Sequence, residues 1–334
     1  MIRFLLRRVT FILLVLVGVT LITFALERVV PGDPARLLAG TRASQKVVNE
    51  VKKSLGLNRP LLSQYVSYVN SLLHGHLGTS IVTRNPVTHD LVQYFPATLE
   101  LILYAMLFGA VIGIFIGVTS ARHGGKIDVV GQTVATSSLS IPVFWLAILL
   151  QMFFYSRLHL LPSGGRLAVG VTPPHTITGL YTVDALLEGK LSLFLDALQH
   201  VILPALCLAV AEIGLVAKTV RASMLEVLGK DYIRSAQAKG LKSRRIYFRH
   251  ALRNALLPVV TVMGLEFGLL VSGTVLVETI FSWPGLGSYT DQAINSSDYN
   301  AIMGVTIVVA VAYVFVNMLV DVLYVYLDPR VRLT

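Results

Sequence analysis

Charge is scarce in this chain of 334 residues: Asp, Glu, Lys and Arg together supply 14% of it, where a soluble domain carries about a quarter. Hydrophobic residues supply 54%, and the mean hydropathy is +0.71. A disordered chain is excluded and a membrane protein is the first expectation. Cysteine is nearly missing as well. Cys207 stands alone, so no disulfide framework exists within the chain, and its apolar run describes a buried, inert thiol. There is no GxxxxGK[ST], GxSxG or HExxH string, so no ATP-hydrolysing loop, nucleophile elbow or zinc-protease pair is present. No internal repeat or low-complexity tract is evident.

Six stretches are free of Lys and Arg and almost free of acids: 9–26, 101–121, 129–156, 197–217, 254–281 and 301–327. Each is long enough, or nearly so, for the roughly 20 apolar residues that cross a bilayer as a helix. The first follows Arg7 and Arg8 as a signal peptide would, but it exceeds a typical apolar signal core and no small-x-small cleavage site follows it. It reads as an uncleaved anchor.

The net charge of +10 then resolves by position. Of the 28 Lys and Arg residues, 17 fall before the first stretch, between the second and third, between the fourth and fifth, and after the last. Ten of those lie within 218–253. The positive-inside rule therefore places both termini and the 218–253 loop in the cytoplasm. The charge is a topology signal, and nucleic acid is not an expected partner.

Outside the membrane, residues 27–98 form the largest piece, with a turn string PGDPA at 31–35 and helix-like spacing over 44–73. A second piece, 157–199, is rich in Pro, Gly and Thr and reads as an irregular external cap. The organisation expected is a tail and first span (1–26), an external, partly helical segment (27–98), a five-helix core (99–328) and a short cytoplasmic tail (329–334).

The 218–253 segment carries ten basic residues against Glu226 and Asp231. Met224, Leu225 and Leu228 recur at helical spacing, as do Tyr232, Ile233 and Ala236, and Gly240 interrupts before Lys242, Arg244 and Arg245. A helix, a turn and another helix are expected outside the bilayer. Composition alone allows either a loop touching anionic lipid or a docking element for another protein.

Ionisable groups at membrane depth are costly and commonly face a partner or a water-filled path. Glu212 and Glu266 lie deepest, Glu100 and Glu278 near external ends, and Asp321 near the other end of the last stretch. Glu212, Glu266 and Glu278 are candidates for a substrate pathway, with a hydrogen bond between spans as the alternative. Pro142, Pro204 and Pro258 permit bends. His74 and His76 lack a third ligand, so no metal site is expected. Trp283 and Pro284 suggest an interfacial anchor and a helix stop, with Gly285 and Gly287 allowing a tight return.

The string YIRSAQAKGL at 232–241, followed by RHALRNALLP at 249–258, resembles the cytoplasmic EAA loop of binding-protein-dependent ABC importer permeases. Where the general motif has Glu-Ala-Ala, three residues and Gly, this chain has Arg234, Ser235, Ala236 and Gly240, a variant similar to that of the dipeptide, oligopeptide and nickel subgroup. FLLRR, GVTLITF and PGDPA near the N-terminus, GHLGTS at 75–80 and ETIFSWPGLG at 278–287 extend the resemblance over nearly the whole chain, which is most similar to the "B"-type dipeptide permeases.

That resemblance implies an all-α integral membrane protein of the bacterial inner membrane with six transmembrane helices, a type I ABC importer permease fold and both termini cytoplasmic. It implies translocation of di- or oligopeptides by alternating access. Nickel chelates, glutathione, haem and oligosaccharides are alternative cargoes. The implied partners are a second homologous permease, two ATPase subunits or domains and an extracytoplasmic substrate-binding protein, besides membrane lipid. No cofactor is implied in this chain, ATP and Mg being bound by the ATPases. Met224, Leu228 and Tyr232 would make apolar contact with the ATPase, Arg234, Lys239 and Arg245 would pair with its acids, and Ala236 and Gly240 would shape the coupling turn. A proton-coupled secondary transporter using Glu212 and Glu266 is the rival.

Overall fold

The computed structural model describes residues 2–29, 36, 43–54, 56 and 58–327, and every regular element among them is a helix. The 31–35 turn string and the 329–334 tail lie outside the described residues. Helix α1 is Ile2–Val29, α2 Gln45–Ser54, α3 Leu61–Leu73 and α4 Val87–His123. The helical spacing over 44–73 is thus realised as two helices, with extended Pro60 starting the second.

The stretch expected at 129–156 is not one straight helix. It divides into α5, Gly125–Ser140, and α6, Val143–Arg157, bent by 104° to one another. Pro142 disfavours a helical conformation at Ile141, which is extended at ψ 123°, so the break has a local cause. The end of α6, from Gln151, is wound as a π-helix. The 157–199 cap is irregular only at first: α7 covers Tyr181–Leu187, and α8 starts at Leu191 and runs unbroken to Leu228. Next come α9 at Asp231–Ala238, α10 at Ser243–Ile280, α11 at Leu286–Asn295 and α12 at Tyr299–Leu327.

Four of these, α4, α8, α10 and α12, are long and apolar enough to cross a bilayer, and the bent pair α5–α6 makes a fifth if it counts as one span. The apolar part of α1 among the described residues is the shorter Leu13–Ala25.

The chain forms two compact units, Met1–Gln93 with Tyr289–Ala312 and Tyr94–Ser288 with Tyr313–Leu333. In the first, Phe24 of α1 meets Tyr65 edge-on at 5.4 Å and stacks on Tyr68 at 5.9 Å. The GHLGTS string is held there by Asp298, whose carboxylate accepts hydrogen bonds from Ser80 Oγ at 2.6 Å and the Ile81 N–H at 2.7 Å.

In the second unit, α4 and α8 approach along a glycine stripe. A Cβ at Gly109, Gly113 or Gly117 would come within 2.5–2.7 Å of Glu212, Val216 or Ala217 respectively. Recurrence every four residues puts the three on one helix face, and their missing side chains let the backbones close up. The dominant packing of this unit is α8 against α10 and α5.

Candidate functional site

The basic segment 218–253 does not form a free-standing helix-turn-helix. Its first third belongs to α8, which ends at Gly229, and its last third opens α10, leaving α9 as a short bridge between two long helices. α9 is tied inward by apolar contact: Ile233 and Ala236 join Met224 of α8, Val118 of α4 and Ile246, Ala251, Ala255 and Val259 of α10 in one buried cluster.

Met224 is fully buried in that cluster and Ala236 nearly so, so neither presents a surface to another chain in this conformation. Helical spacing identified their face correctly as apolar, but that face is spent on the protein's own core. Leu228 packs partly against the same cluster. Tyr232, Arg234, Lys239, Gly240 and Arg245 are exposed. Tyr232 Oη accepts a hydrogen bond from Asn254 Nδ2 at 2.9 Å, which orients the ring at the base of α10.

Gly240 ends α9 with a Schellman motif. Its φ is +73°, the Gly240 N–H donates to Gln237 O at 2.9 Å and the Leu241 N–H to Ala236 O at 3.3 Å, with Leu241 folded back onto the cluster holding Ala236. A Cβ there would meet nothing within 4 Å among the described residues, so backbone handedness is what demands glycine. Beyond the turn, Gly240, Leu241, Lys242, Arg244, Arg245, Phe248 and Arg249 line an open groove of about 660 Å³. Its four cations give it a strongly positive field.

The intramembrane acids have three different environments. Glu212 is fully buried, and among the described residues neither carboxylate oxygen has a hydrogen-bond partner. Glu266, on α10, is half-buried. Glu278 is also fully buried but engaged: Thr98 Oγ1 donates to Oε1 at 2.6 Å, and the Ser288 N–H to Oε2 at 2.9 Å. The location of Glu278 near a helix end therefore does not give it water. Its carboxylate pins the turn after α10, and Gly285 and Gly287 are needed there for room: neither has a positive φ, and a Cβ on Gly285 would come within 2.5 Å of Glu278 Oε1. Trp283 is no interfacial anchor either. It is 1% exposed and its Nε1–H donates to Ala97 O at 2.9 Å.

Glu100 likewise is not solvated. Arg166, from the irregular part of the cap, donates to it at 2.6 Å with both side chains buried, and the Thr182 N–H and Oγ1 donate to its other oxygen. The Arg166 guanidinium also lies 3.5 Å over the Tyr181 ring. His74 Nδ1 lies 2.8 Å from Asn70 O. Among the described residues no group of three or more His, Cys, Asp or Glu side chains is placed to hold a metal.

Residues 109–333 match the family model described as binding-protein-dependent transport system inner membrane component, and residues 1–102 match the model for the N-terminal part of such membrane components. The chain is 48% identical to the probable D,D-dipeptide transport system permease protein DdpB of Escherichia coli over 96% of its length and 94% of that protein. It is 41% identical to the dipeptide transport system permease protein DppB of the same organism over 99% of both chains. The fold is similar to a chain of the MetNI methionine ABC transporter, with a TM-score of 0.53 and 18% identity over 72% of this chain and 96% of that one. With a family model covering well over half of it and relatives aligned end to end, the chain belongs to the binding-protein-dependent transport system inner membrane components, as a multi-pass permease subunit of a bacterial ABC importer.

Proposed function

We propose that this permease carries di- or oligopeptides. The observation that carries the reading is its near full-length identity to two permeases named for dipeptides and D,D-dipeptides. In the arrangement proposed, the chain crosses the membrane six times with both termini in the cytoplasm. α1 supplies the first crossing and the bent pair α5–α6 the third, consistent with 17 of 28 basic residues on one side.

A second homologous permease completes the path, two ATPase subunits bind ATP and Mg, and an extracytoplasmic binding protein delivers the cargo. α9 is the coupling helix. Tyr232, Arg234, Lys239 and Arg245 are exposed and available to the ATPase, whereas Met224 and Ala236 transmit its movement through the buried cluster to α8 and α10. Glu266 and Glu212 are proposed to receive the peptide ammonium group. Half-buried Glu266 meets it first, and Glu212 becomes reachable when α4 and α8 part. Glu278, enclosed by Thr98 and Ser288, keeps the turn after α10 in place and does not line the path.

Co-purification tests the reading. Tagged permease should bring a second permease and ATPase subunits with it, and ATP hydrolysis by that complex should rise when peptide-loaded binding protein is added. Recovery of the chain alone, or hydrolysis indifferent to the loaded binding protein, would count against it.

A further inference from the structure

We infer that Arg221 and Asp128 form a strut that makes α8 and α5 one lever arm, carrying movement of α9 to the broken α5–α6 span. Arg221 lies on the last turns of α8, and its Nε–H and Nη2–H donate to the two oxygens of Asp128, at 2.5 Å each, in a bidentate fork. Both side chains are half-buried, at 28% and 20% exposure. A fork of this kind fixes orientation as well as distance, which a lysine pair would not.

The other ion pairs described within 218–253, Lys230–Glu226 and Arg234–Asp231, are three or four residues apart in sequence and tie no two helices together. Arg221–Asp128 joins residues 93 apart. A second attachment lies seven residues along each helix. Gly214 of α8 sits so close to α5 that a Cβ would come 2.4 Å from Ala135 O and 2.2 Å from Ser138 Oγ. At 1.5 Å per residue the two are about 10 Å apart, and together they hold the crossing angle and the register of the two helices. Asp128 also sits in the first turn of α5, where the helix dipole favours an anion.

The arm has a driven end and a working end. Beyond Arg221, α8 leads through Met224 and Gly229 directly into α9. Beyond Ala135, α5 ends at Ser140, where the chain turns by 104° into α6. A push on α9 moves α8, and through the strut moves α5 and the bend. Without the fork, α5 keeps its apolar packing on α8 but loses the polar tie that fixes its register at the end next to α9. The strut is a positioning element and touches no substrate.

This rests on the reading of α9 as the ATPase-coupled helix. The test replaces the fork by a removable link: Asp128→Cys with Arg221→Cys in a Cys207→Ala parent, which leaves no other thiol in the chain. The permease is assembled with its second permease and ATPases in proteoliposomes, and peptide uptake per ATP hydrolysed is measured before and after a reducible bis-methanethiosulfonate cross-linker. The unlinked pair should hydrolyse ATP but take up about fivefold less peptide per ATP than the parent, or less still. The link should restore the parent ratio and a reductant should abolish it again. A parent-like ratio without the link, no recovery with it, or a pair that fails to assemble would each overturn the strut. A parent without ATP-driven uptake would overturn the importer reading, and the strut with it.

Discussion

Gly109 of α4 and Glu212 of α8 share a single space: a Cβ on the glycine would lie 2.5 Å from the glutamate carboxyl carbon. The carboxylate is sealed on that side by backbone and has no hydrogen-bond partner among the described residues. An unpaired polar group in such a place is costly unless neutral or transiently exposed.

Gly109→Ala should therefore overpack the seam and lower stability by roughly 1–3 kcal/mol. Shortening its neighbour in the double variant Gly109→Ala with Glu212→Ala should restore much of the loss. Thermal denaturation of the purified permease in detergent measures both, and an additive double variant would show that the two residues do not share that space.

At Gly240 the prediction separates handedness from size. Because the position is open, Gly240→Asn should be tolerated, whereas Gly240→Val must hold a β-branched residue at positive φ, at a cost of about 1–2 kcal/mol. Valine should leave membrane insertion intact and lower uptake per ATP. Equal coupling ratios for Asn and Val would contradict the Schellman assignment.

The Arg166–Glu100 pair is buried on both sides, so removing one partner strands the other. Arg166→Ala or Glu100→Ala should each destabilise by about 3–5 kcal/mol, and the double variant by clearly less than their sum. Equilibrium unfolding in detergent across the four variants gives the coupling energy.

Acid should act on the cap through Asp184. Burial acts to raise its carboxyl, but hydrogen bonds from Thr178 Oγ1 and the backbone N–H groups of Thr178, Gly179 and Ile177 outweigh it and hold the group below its ordinary value. A lowered folded-state pKa stabilises above the unfolded value, near 4, and that stabilisation is lost as pH falls through the folded value. The stability gap between the parent and Asp184→Asn should thus be constant above about pH 5 and shrink below about pH 4. A gap that widens in acid would reverse the sign.

Hydropathy made the apolar helices legible because crossing lipid forbids charge, and that signal needs no knowledge of neighbours. It could not say which groups at a given depth find partners. Glu278, Glu100 and Trp283 all lie near helix ends by sequence, yet Thr98, Arg166 and Ala97 enclose them from 66 to 186 residues away. Periodicity in 218–253 revealed an apolar face at Met224, Ile233 and Ala236, but the same pattern describes a docking face and a core face. The four-residue spacing of Gly109, Gly113 and Gly117 is a signal that hydropathy passes over, and their partner on α8 carries no sequence signal at all. Pro142 marked a possible bend, and the 104° break required the extended Ile141 beside it.

The most direct test of the account is uptake into proteoliposomes holding this permease, its second permease and the ATPases, with binding protein and a labelled dipeptide. Uptake that requires ATP and the binding protein, and ignores an imposed pH gradient, is the predicted result; uptake by this chain alone, driven by the pH gradient without ATP, would contradict it.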